Sequence, residues 1–523
     1  MKKYAVLLIV AISMLVFSLG SSMVTVAITD LTQDLNTEIQ YIQFAIALYA
    51  LLIAAFILVG AKLAIMYGAK RIFVIGVILF AIGMLIASLS QNIVMFTLGY
   101  AVLPGLGAAL IVPTGVILLM ENYEGKARAT AFAVFAAVYI GGAAIGPLVG
   151  GFFTTYISWQ WAFFTLVVMD VILLVFSRNV KGQKGSGRAK LDVAGVLLSA
   201  LGFILVTVGM MLITSYGLSI AAVPMITGVI LLLLFVLWER RQGRKGGEPL
   251  LPFNLIKDKP YMAGVGVGAI LSLTYGAVFF CIPLFVQSVL FLNAMESGLV
   301  LMPMTIGLMV MAFVSPRLTV KIRAKYLSIV GAGIAIIGTV LLAISFSADM
   351  ATSDMIPGLV VFGIGMGLAT AQLQNLTLSS VRASETNEAA GLFNGGRNLG
   401  WAIGVAIVGA ILIGLLLSSL TTGINGSTVF PQEIKDELTA LEEQSTKEMT
   451  REELEADLEQ ILGPPPNEYW EELERITDDS AGHSMRVTFY TIGGLMGVCL
   501  ITSFLLSKRK LVADPDVPNL PPL

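Results

Sequence analysis

Residues 129–157 read ATAFAVFAAVYIGGAAIGPLVGGFFTTYI, a run without a single charge. The hydrocarbon core of a bilayer is about 30 Å thick and takes about 20 apolar residues to cross as a helix. This run exceeds that length. Within it Gly142, Gly146 and Gly150 recur at every fourth position, with Gly151 beside the last. On a helix they form one smooth face that another backbone can approach closely. Pro147 bends such a helix and frees a carbonyl.

Similar runs lie near 4–29, 41–61, 72–90, 93–120, 161–177, 193–214, 220–238, 261–291, 297–316, 326–347, 355–378, 389–418 and 487–507. Across all of them stand only two charges, Asp170 and Arg397. Hydrophobic residues make up 57% of the 523 and charged residues 13%, where a soluble domain averages about 25% charged. The strict alternation of a barrel strand is absent, and helices satisfy their own backbone in lipid. The expected fold is an all-α integral membrane protein of fourteen transmembrane helices. Lys2 and Lys3 before an apolar run resemble a signal peptide, but the run reaches Ile28 and reads as a first span.

The same composition excludes several functions. A net charge of −2 argues against nucleic-acid binding. Cys281 and Cys499 fall in apolar runs and His483 is the only histidine, which leaves no disulfide framework and no metal site. With no P-loop and no cluster of His, Asp or Cys among the spans, neither ATP drive nor an enzyme is expected. No cofactor is implied.

Lysine and arginine set the orientation. With the N-terminus inside, the short outer loops 31–40, 91–92, 158–160, 215–219, 292–296 and 348–354 contain none, whereas inner segments hold 26. Both termini are expected in the cytoplasm, in a plasma-membrane protein. The long outer loop 421–485 carries 17 acidic and four basic residues. In it Thr450-Arg451-Glu452-Glu453 reads as a capping box, Pro464-Pro465-Pro466 ends that helix, and Asn467 can cap the next. A short helical hairpin follows, either an acidic spacer or a cap over an exit path.

The two ends of the chain resemble each other at an offset of about 255–260 residues, the trace a duplicated six-helix unit leaves. Gly105 and Gly107 match Gly365 and Gly367, Gly142 and Gly146 match Gly400 and Gly404, and the loop Leu63…Gly68-Ala69-Lys70 matches Leu318…Arg323-Ala324-Lys325. The division expected is 1–178 as one six-helix bundle, 179–259 as an inserted helix pair with its linkers, and 260–523 as a second bundle carrying the acidic loop.

The glycine and proline pattern from Gly142 to Gly151 resembles the antiporter motif of the major facilitator superfamily, in its fourteen-span drug/proton antiporter branch. Trp159-Gln160-Trp161, Leu191-Asp192 and Pro249-Leu250-Leu251-Pro252 follow the branch pattern. Gly60, Leu63, Gly68, Lys70 and Arg71 resemble its loop motif between helices 2 and 3. The resemblance implies a cavity lined by helices 1, 4, 9 and 12 and gated by 2, 5, 10 and 13. Polar groups available there are Ser21, Ser22 and Thr25, Tyr275 and Gln287, and Gln372, Gln374 and Asn375. The chain also departs from the family: Ile65 stands for an acid in the loop motif, Ala101 for an arginine and Pro104 for a glutamine in helix 4, and Gly20 near an aspartate of helix 1.

The remaining charges have two readings each. Asp170 lies about 13 Å from either end of its helix, where a charge costs at least about 2.5 kcal/mol; it serves a structural hydrogen bond or carries a coupling proton. Asp30 is an interfacial polar residue closing the first helix or a second coupling candidate. Arg397 packs an inner gate or contacts substrate, its long stem reaching toward the interface. An apolar cavity with a few hydrogen-bonding groups suits hydrophobic or amphipathic cargo. The expected function is a secondary exporter of such compounds, multidrug-efflux in type and proton-coupled, with membrane lipids around it. The alternatives are a lipid or glycolipid exporter of the same fold, or a non-transporting scaffold.

Overall fold

A computed structural model describes residues 2–178, 182, 185, 192–244, 253–319, 321–346, 350–382, 386–448, 451–464 and 467–507. The described residues form helices α1 (Lys2–Met23), α2 (Ile28–Asp34), α3 (Ile39–Tyr67), α4 (Ala69–Ser88), α5 (Ile93–Phe96), α6 (Leu103–Asn122), α7 (Gly125–Tyr156) and α8 (Trp159–Ser177). There follow α9 (Val193–Arg244), α10 (Phe253–Lys257), α11 (Lys259–Ser288), α12 (Ala294–Leu318), α13 (Ala324–Ser345), α14 (Ile356–Thr370) and α15 (Leu373–Leu378). The last are α16 (Thr386–Ile403), α17 (Gly409–Gly426), α18 (Gln432–Glu448), α19 (Arg451–Leu462) and α20 (Glu468–Ser503).

Thirteen helices in this set are long and apolar enough to cross a membrane; Val193–Gly209 is apolar but shorter. Side-chain caps start several of them, as polar residues just ahead of an apolar run should. Asn92 accepts from Met95 N, Asp258 from Tyr261 N, and Asn293 with Glu296 forms a reciprocal capping box.

Two groups of helices repeat one packing scheme. In the first, α7 and α8 pack on α1, α6 packs on α3 and α4, and α8 on α4. In the second, α16 and α20 pack on α11, α14 on α12 and α13, and α20 on α13. The two most extensive contacts between the groups are α3 with α16 and α7 with α12, and each is the image of the other when the groups are exchanged. The same pairs of contacts thus recur in the two groups. One end of the assembly bears α18, α19 and the turns after α2, α7 and α11, and is called the acidic end. The other, bearing Lys70, Arg178 and Lys325, is the basic end.

Three expectations about helix limits change. The loop expected at 215–219 is helical in its backbone, within the continuous assignment of α9. The chain nevertheless reverses there, because Trp238 Nε1 donates to Asp192 at 2.8 Å and a Cβ at Gly202 would lie 3.1 Å from the Gly228 carbonyl. This folded pair packs on α3 through Val59, Val196, Leu63 and Phe235. Second, the helix expected over 389–418 runs on as α17 to Gly426, and the one over 487–507 begins at Glu468. Third, α1 stops at Met23, so Asp30 lies inside α2 rather than at the end of the first helix.

Both extensions have a cause. Asn467 caps α20 by accepting from Tyr469 N and Trp470 N, so the helix starts outside the apolar run. Ile424, Phe430, Leu438, Leu462 and Ile476 then bury a small second core among α17–α20. Of the expected capping box, Thr450 lies outside the described residues, as do Pro465 and Pro466; α19 begins at Arg451.

Candidate functional site

The glycine face of α7 lies against α1. A Cβ on Gly142 would come 2.9 Å from Ser18 Cβ, one on Gly146 would overlap the Ser22 hydroxyl, and one on Gly150 would sit 2.6 Å from the Met23 carbonyl. Ser18 Oγ donates to the Tyr139 carbonyl at 2.6 Å across the same contact. Gly151 turns instead to the other group, against the Ala294 carbonyl, and Gly298 of α12 returns the approach to the Pro147 carbonyl at 2.6 Å. Met295 N donates to Thr155 Oγ1 at 2.9 Å beside them. The motif therefore serves two interfaces at once: one within its own group and one across to the partner group.

Two glutamines complete the join toward the acidic end. Gln287 Nε2 donates to the Val26 carbonyl at 2.8 Å. Gln43 Nε2 donates to the carbonyls of Val405 at 2.6 Å and Ala406 at 3.0 Å. Those carbonyls belong to a π-helical stretch, Gly404–Val408. Such a stretch shifts the helical hydrogen-bond register and is often found at functional positions. Ser22 and Thr25 are buried and donate back along the chain, to the Ser18 and Ser22 carbonyls at 2.9 and 2.8 Å. A short hydroxyl satisfied in this way packs; Ser22 supports Gly146 rather than an open surface.

Midway between the ends, half-exposed side chains face the space between the groups. Tyr275 stands 4.6 Å from Phe279 and 5.6 Å from Trp401, centroid to centroid. Tyr139 and Trp401 are half-exposed, and a Cβ at Gly141 or Gly266 would meet open space. Arg397 Nε donates to Ser272 Oγ at 3.4 Å, and its stem lies against Gly268. Nearer the basic end Asn375 is exposed and donates to Gln372 Oε1 at 3.1 Å. Tyr139 and Trp401 were not distinguished in the sequence, because an aromatic in an apolar run does not announce which way it faces.

The loop-motif residues line a helix contact and the turn between α3 and α4. Gly60 abuts the Ala109 carbonyl, Leu63 packs on the folded pair, and Gly68 has φ +96°, a conformation glycine adopts at little cost. Lys70 Nζ lies 3.5 Å from the carbonyl of Arg178, just past α8, and Arg71 is exposed. In the second group the matching Lys325 Nζ donates to the carbonyls of Phe504 and Leu506, just past α20. Cations at helix C-termini are favoured by the helix dipole. Ile65, where the family acid would stand, is 49% exposed.

The family's other missing charges leave filled positions. A Cβ on Gly20 would already meet Met84, Leu166 and Phe80 at 3.2–3.3 Å. Ala101 is fully buried in a second π-helical stretch, Thr97–Val102, and Pro104 packs on Gly83. Asp170 is buried at 1% exposure, with Oδ2 lacking a hydrogen-bond partner. Asp30 is half-buried; burial first and then Asp34 push its carboxyl up to about 6. Asp34, four residues on, accepts from Trp159 Nε1 at 2.7 Å. That bond ties α2 to α8 and gives the Trp159 of the sequence motif its role. Among the described residues no group of three or more His, Cys, Asp or Glu side chains could hold a metal.

Two helical groups of one packing scheme, joined through α3 with α16 and α7 with α12, make up this membrane-spanning architecture. The chain belongs to the Major Facilitator Superfamily, whose family model matches residues 10–405. It is 30% identical over 418 residues to a cephamycin export protein of Amycolatopsis lactamdurans, a match covering 78% of this chain and 83% of that one. It is 29% identical over 419 residues to a probable actinorhodin transporter of Streptomyces coelicolor, covering 78% and 72%. A solved bacterial homolog of the human lysosomal transporter Spinster, in an inward-facing and unoccupied conformation, superposes with TM-score 0.62 over 97% of this chain and 98% of that one. At 13% identity that likeness is one of fold. The chain is a transporter and not an enzyme.

Proposed function

We propose that this protein exports amphipathic, drug-like small molecules by alternating access, driven by protons entering the cell. One observation carries the reading. Tyr275 and Trp401, backed by buried Phe279, and Tyr139 are half-buried aromatic side chains, and Arg397, Gln372 and Asn375 add a few polar groups. Such a surface suits cargo that is largely apolar with a few polar atoms. The relatives above are named for cephamycin export and as a probable actinorhodin transporter, which supports a small-molecule cargo.

In this reading the acidic end faces outward and the termini lie in the cytoplasm, as the lysine and arginine distribution supports. The structure then corresponds to the inward-facing state, with Gln287, Gln43 and Thr155 closing the outer side. Val193–Gly209 counts as the seventh of fourteen spans, short but within the range of about 17–25 residues a crossing takes. The working division is 1–178 and 260–523 as the moving bundles, with 179–259 between them.

The test is transport into proteoliposomes of a panel of hydrophobic dyes and fluorescent lipids, with and without an imposed pH gradient. Gradient-dependent dye movement, reduced in Trp401→Ala and Tyr275→Ala, supports the reading. Movement of the lipids and not the dyes would favour a lipid exporter of the same fold. No movement of either would favour a scaffold.

A further inference from the structure

Arg397 lies within the apolar part of α16, and its side chain runs away from the nearer interface. A Cβ on Gly268 of α11 would lie 3.4 Å from Arg397 Cγ, while Arg397 Nε donates to Ser272 Oγ at 3.4 Å. Ser272 is one turn further than Gly268 from Lys259, where α11 starts at the basic end. It lies 13 residues after Lys259 and 16 before Ser288, about 20 and 24 Å along the helix at 1.5 Å per residue. An arginine that only sought water would extend the other way, toward the basic end. The stem expected to reach the interface instead carries the guanidinium toward the middle of the membrane.

The flank of α16 that bears it faces inward. Gly395 approaches the Ala54 carbonyl of α3, and Gly400 abuts Ala269 of α11. Of the two flanks left between those contacts, one carries Asn394, Arg397 and Trp401, and the opposite one Leu392, Leu399 and Ile403, all half-buried. Polar residues of a membrane helix turn to the bundle interior or to a water-filled space, and the apolar flank is left for lipid. Tyr275, one turn past Ser272 on α11, stands 5.6 Å from Trp401, one turn past Arg397 on α16. A cation and two aromatic rings thus share one surface, with the cation nearer the basic end.

That cation has no counter-charge. Among the described residues the neutral Ser272 hydroxyl is the hydrogen-bond partner of Arg397. A guanidinium carries five N–H donors in a planar fork, so the four on its terminal nitrogens are left for something other than these side chains. The other charge within the spans, Asp170, is 1% exposed on α8, which packs on α1, α4 and α7. Cargo entering beside Trp401 therefore meets one full charge, and that charge is positive. Away from bulk water its pull on an anion and its repulsion of a cation are both strengthened.

We propose that Arg397 and Ser272 form an anion subsite and that the cargo is a carboxylate-bearing aromatic amphipath. Its carboxylate bridges the two terminal nitrogens of the guanidinium, and its rings lie on Tyr275 and Trp401. A cationic amphipath of the same shape is repelled. This names the cargo class within the export reading above, from which it takes only that this surface lies on the cargo path.

Equilibrium binding to the purified full-length protein in a non-ionic detergent tests the subsite. Two probes share a ring system and differ in charge: pyrenebutyrate and a pyrenyl trimethylammonium salt. The parent should bind the carboxylate at least about tenfold more tightly than the cation, the difference that one bidentate charge-assisted contact makes. Arg397→Gln should lose that preference. Arg397→Lys should keep its sign at a smaller ratio, because lysine has the charge without the fork. Trp401→Ala should weaken both probes together. If Arg397→Gln accumulates poorly, the parent's preference and its decline in Arg397→Lys decide. Equal affinity of the parent for the two probes, or a preference intact in Arg397→Gln, overturns the subsite. Binding of phosphatidylglycerol with none of pyrenebutyrate would give the guanidinium to a lipid headgroup and overturn it as well. Pyrenebutyrate bound with the expected preference but never moved in proteoliposomes overturns the export reading and leaves the subsite standing.

Discussion

Gln287 Nε2 donates to the carbonyl of Val26 at 2.8 Å, tying the acidic end of α11 to the short turn that follows α1. The bond crosses between the two helical groups, so it exists only while that end is closed. Gln287→Leu removes it and leaves the Val26 carbonyl without its partner, at a cost to the closed state of about 1 kcal/mol. The open population on that side should rise about fivefold. Distances between spin labels at Gln33 and Phe291 should broaden toward longer values. An unchanged distribution would mean that the glycine contacts of α7 and α12 hold the seal alone.

Gly146 and Ser22 should behave as one unit. A methyl group on Gly146 overlaps the Ser22 hydroxyl and stands 2.9 Å from its Cβ, and overpacking of this kind costs about 1–3 kcal/mol. Gly146→Ala should therefore lose most transport, Gly146→Leu all of it, and Ser22→Gly little. The combination Gly146→Ala, Ser22→Gly should recover activity, because the added methyl then occupies the space the serine gave up. Failure of the double variant to recover would show that α1 cannot absorb the change and that the contact must slide during the cycle.

Lys70 and Lys325 occupy equivalent places, and each reaches carbonyls just past a helix, α8 in one group and α20 in the other. Lys325 is the more buried, at 5% exposure, and makes two such bonds. Lys325→Met should lower the unfolding temperature measurably and fray the last turn of α20, seen as faster hydrogen exchange there. Lys70→Met should do less, since its single contact is longer and exposed. Equal effects would mean that the two loops are matched in energy as well as in sequence.

How much of this was legible beforehand depends on what each residue had to signal. The apolar runs were legible because crossing a bilayer imposes a minimum length that few other folds require, and the glycine spacing of α7 because close packing tolerates no side chain. The reversal within α9 was expected, but no proline, glycine cluster or cap marks its limits, and its backbone stays helical. Ser22 and Thr25 read as cavity groups because the family resemblance places helix 1 on the cavity; each donates to a carbonyl one turn back. The role of Gln43 is not legible in the sequence because its acceptors, the carbonyls of Val405 and Ala406, lie in a π-helical stretch that no residue pattern marks.

The helical layer at the acidic end should resist acid. Glu472 is held down to about 2 by the Arg475 guanidinium at 2.8 Å and by the Ser427 hydroxyl. A carboxylate lowered on folding contributes its full stability above its ordinary 4.5 and loses it as pH falls toward 2. Limited proteolysis of α18 and α19 should thus stay constant from neutral pH to about 5 and accelerate only below that. In Glu472→Gln the layer should be cut faster at neutral pH and respond less to acid. Acid sensitivity identical in the two proteins would assign the response to the many other carboxylates of the layer.

Energy coupling separates the two remaining carboxylates. With Ile65, Ala101 and Gly20 in place of the family's charges, Asp170 and Asp30 are the coupling candidates among the acids within or bordering the spans of the first group. Proton entry supplies about 2.3 kcal/mol per 100 mV, ample to accumulate cargo against a modest gradient. Asp170→Asn keeps the size of the side chain and removes its ability to carry a proton. It should abolish pH-gradient-driven export in proteoliposomes while exchange of cargo down its own gradient continues. Asp30 should have a smaller and different effect. Its carboxyl is held near 6, above the ordinary 3.8, by burial and then by Asp34. An acid raised on folding stabilises the fold below 3.8 relative to neutral pH and loses that advantage as pH rises through about 6. Asp30→Asn should accordingly be more stable than the parent above pH 6 and equal to it in stronger acid. Any step in the export rate centred near pH 6 should vanish with it. Export against a gradient that survives both substitutions would leave neither carboxylate as the coupling group, and a facilitator or lipid exporter would then be the better description.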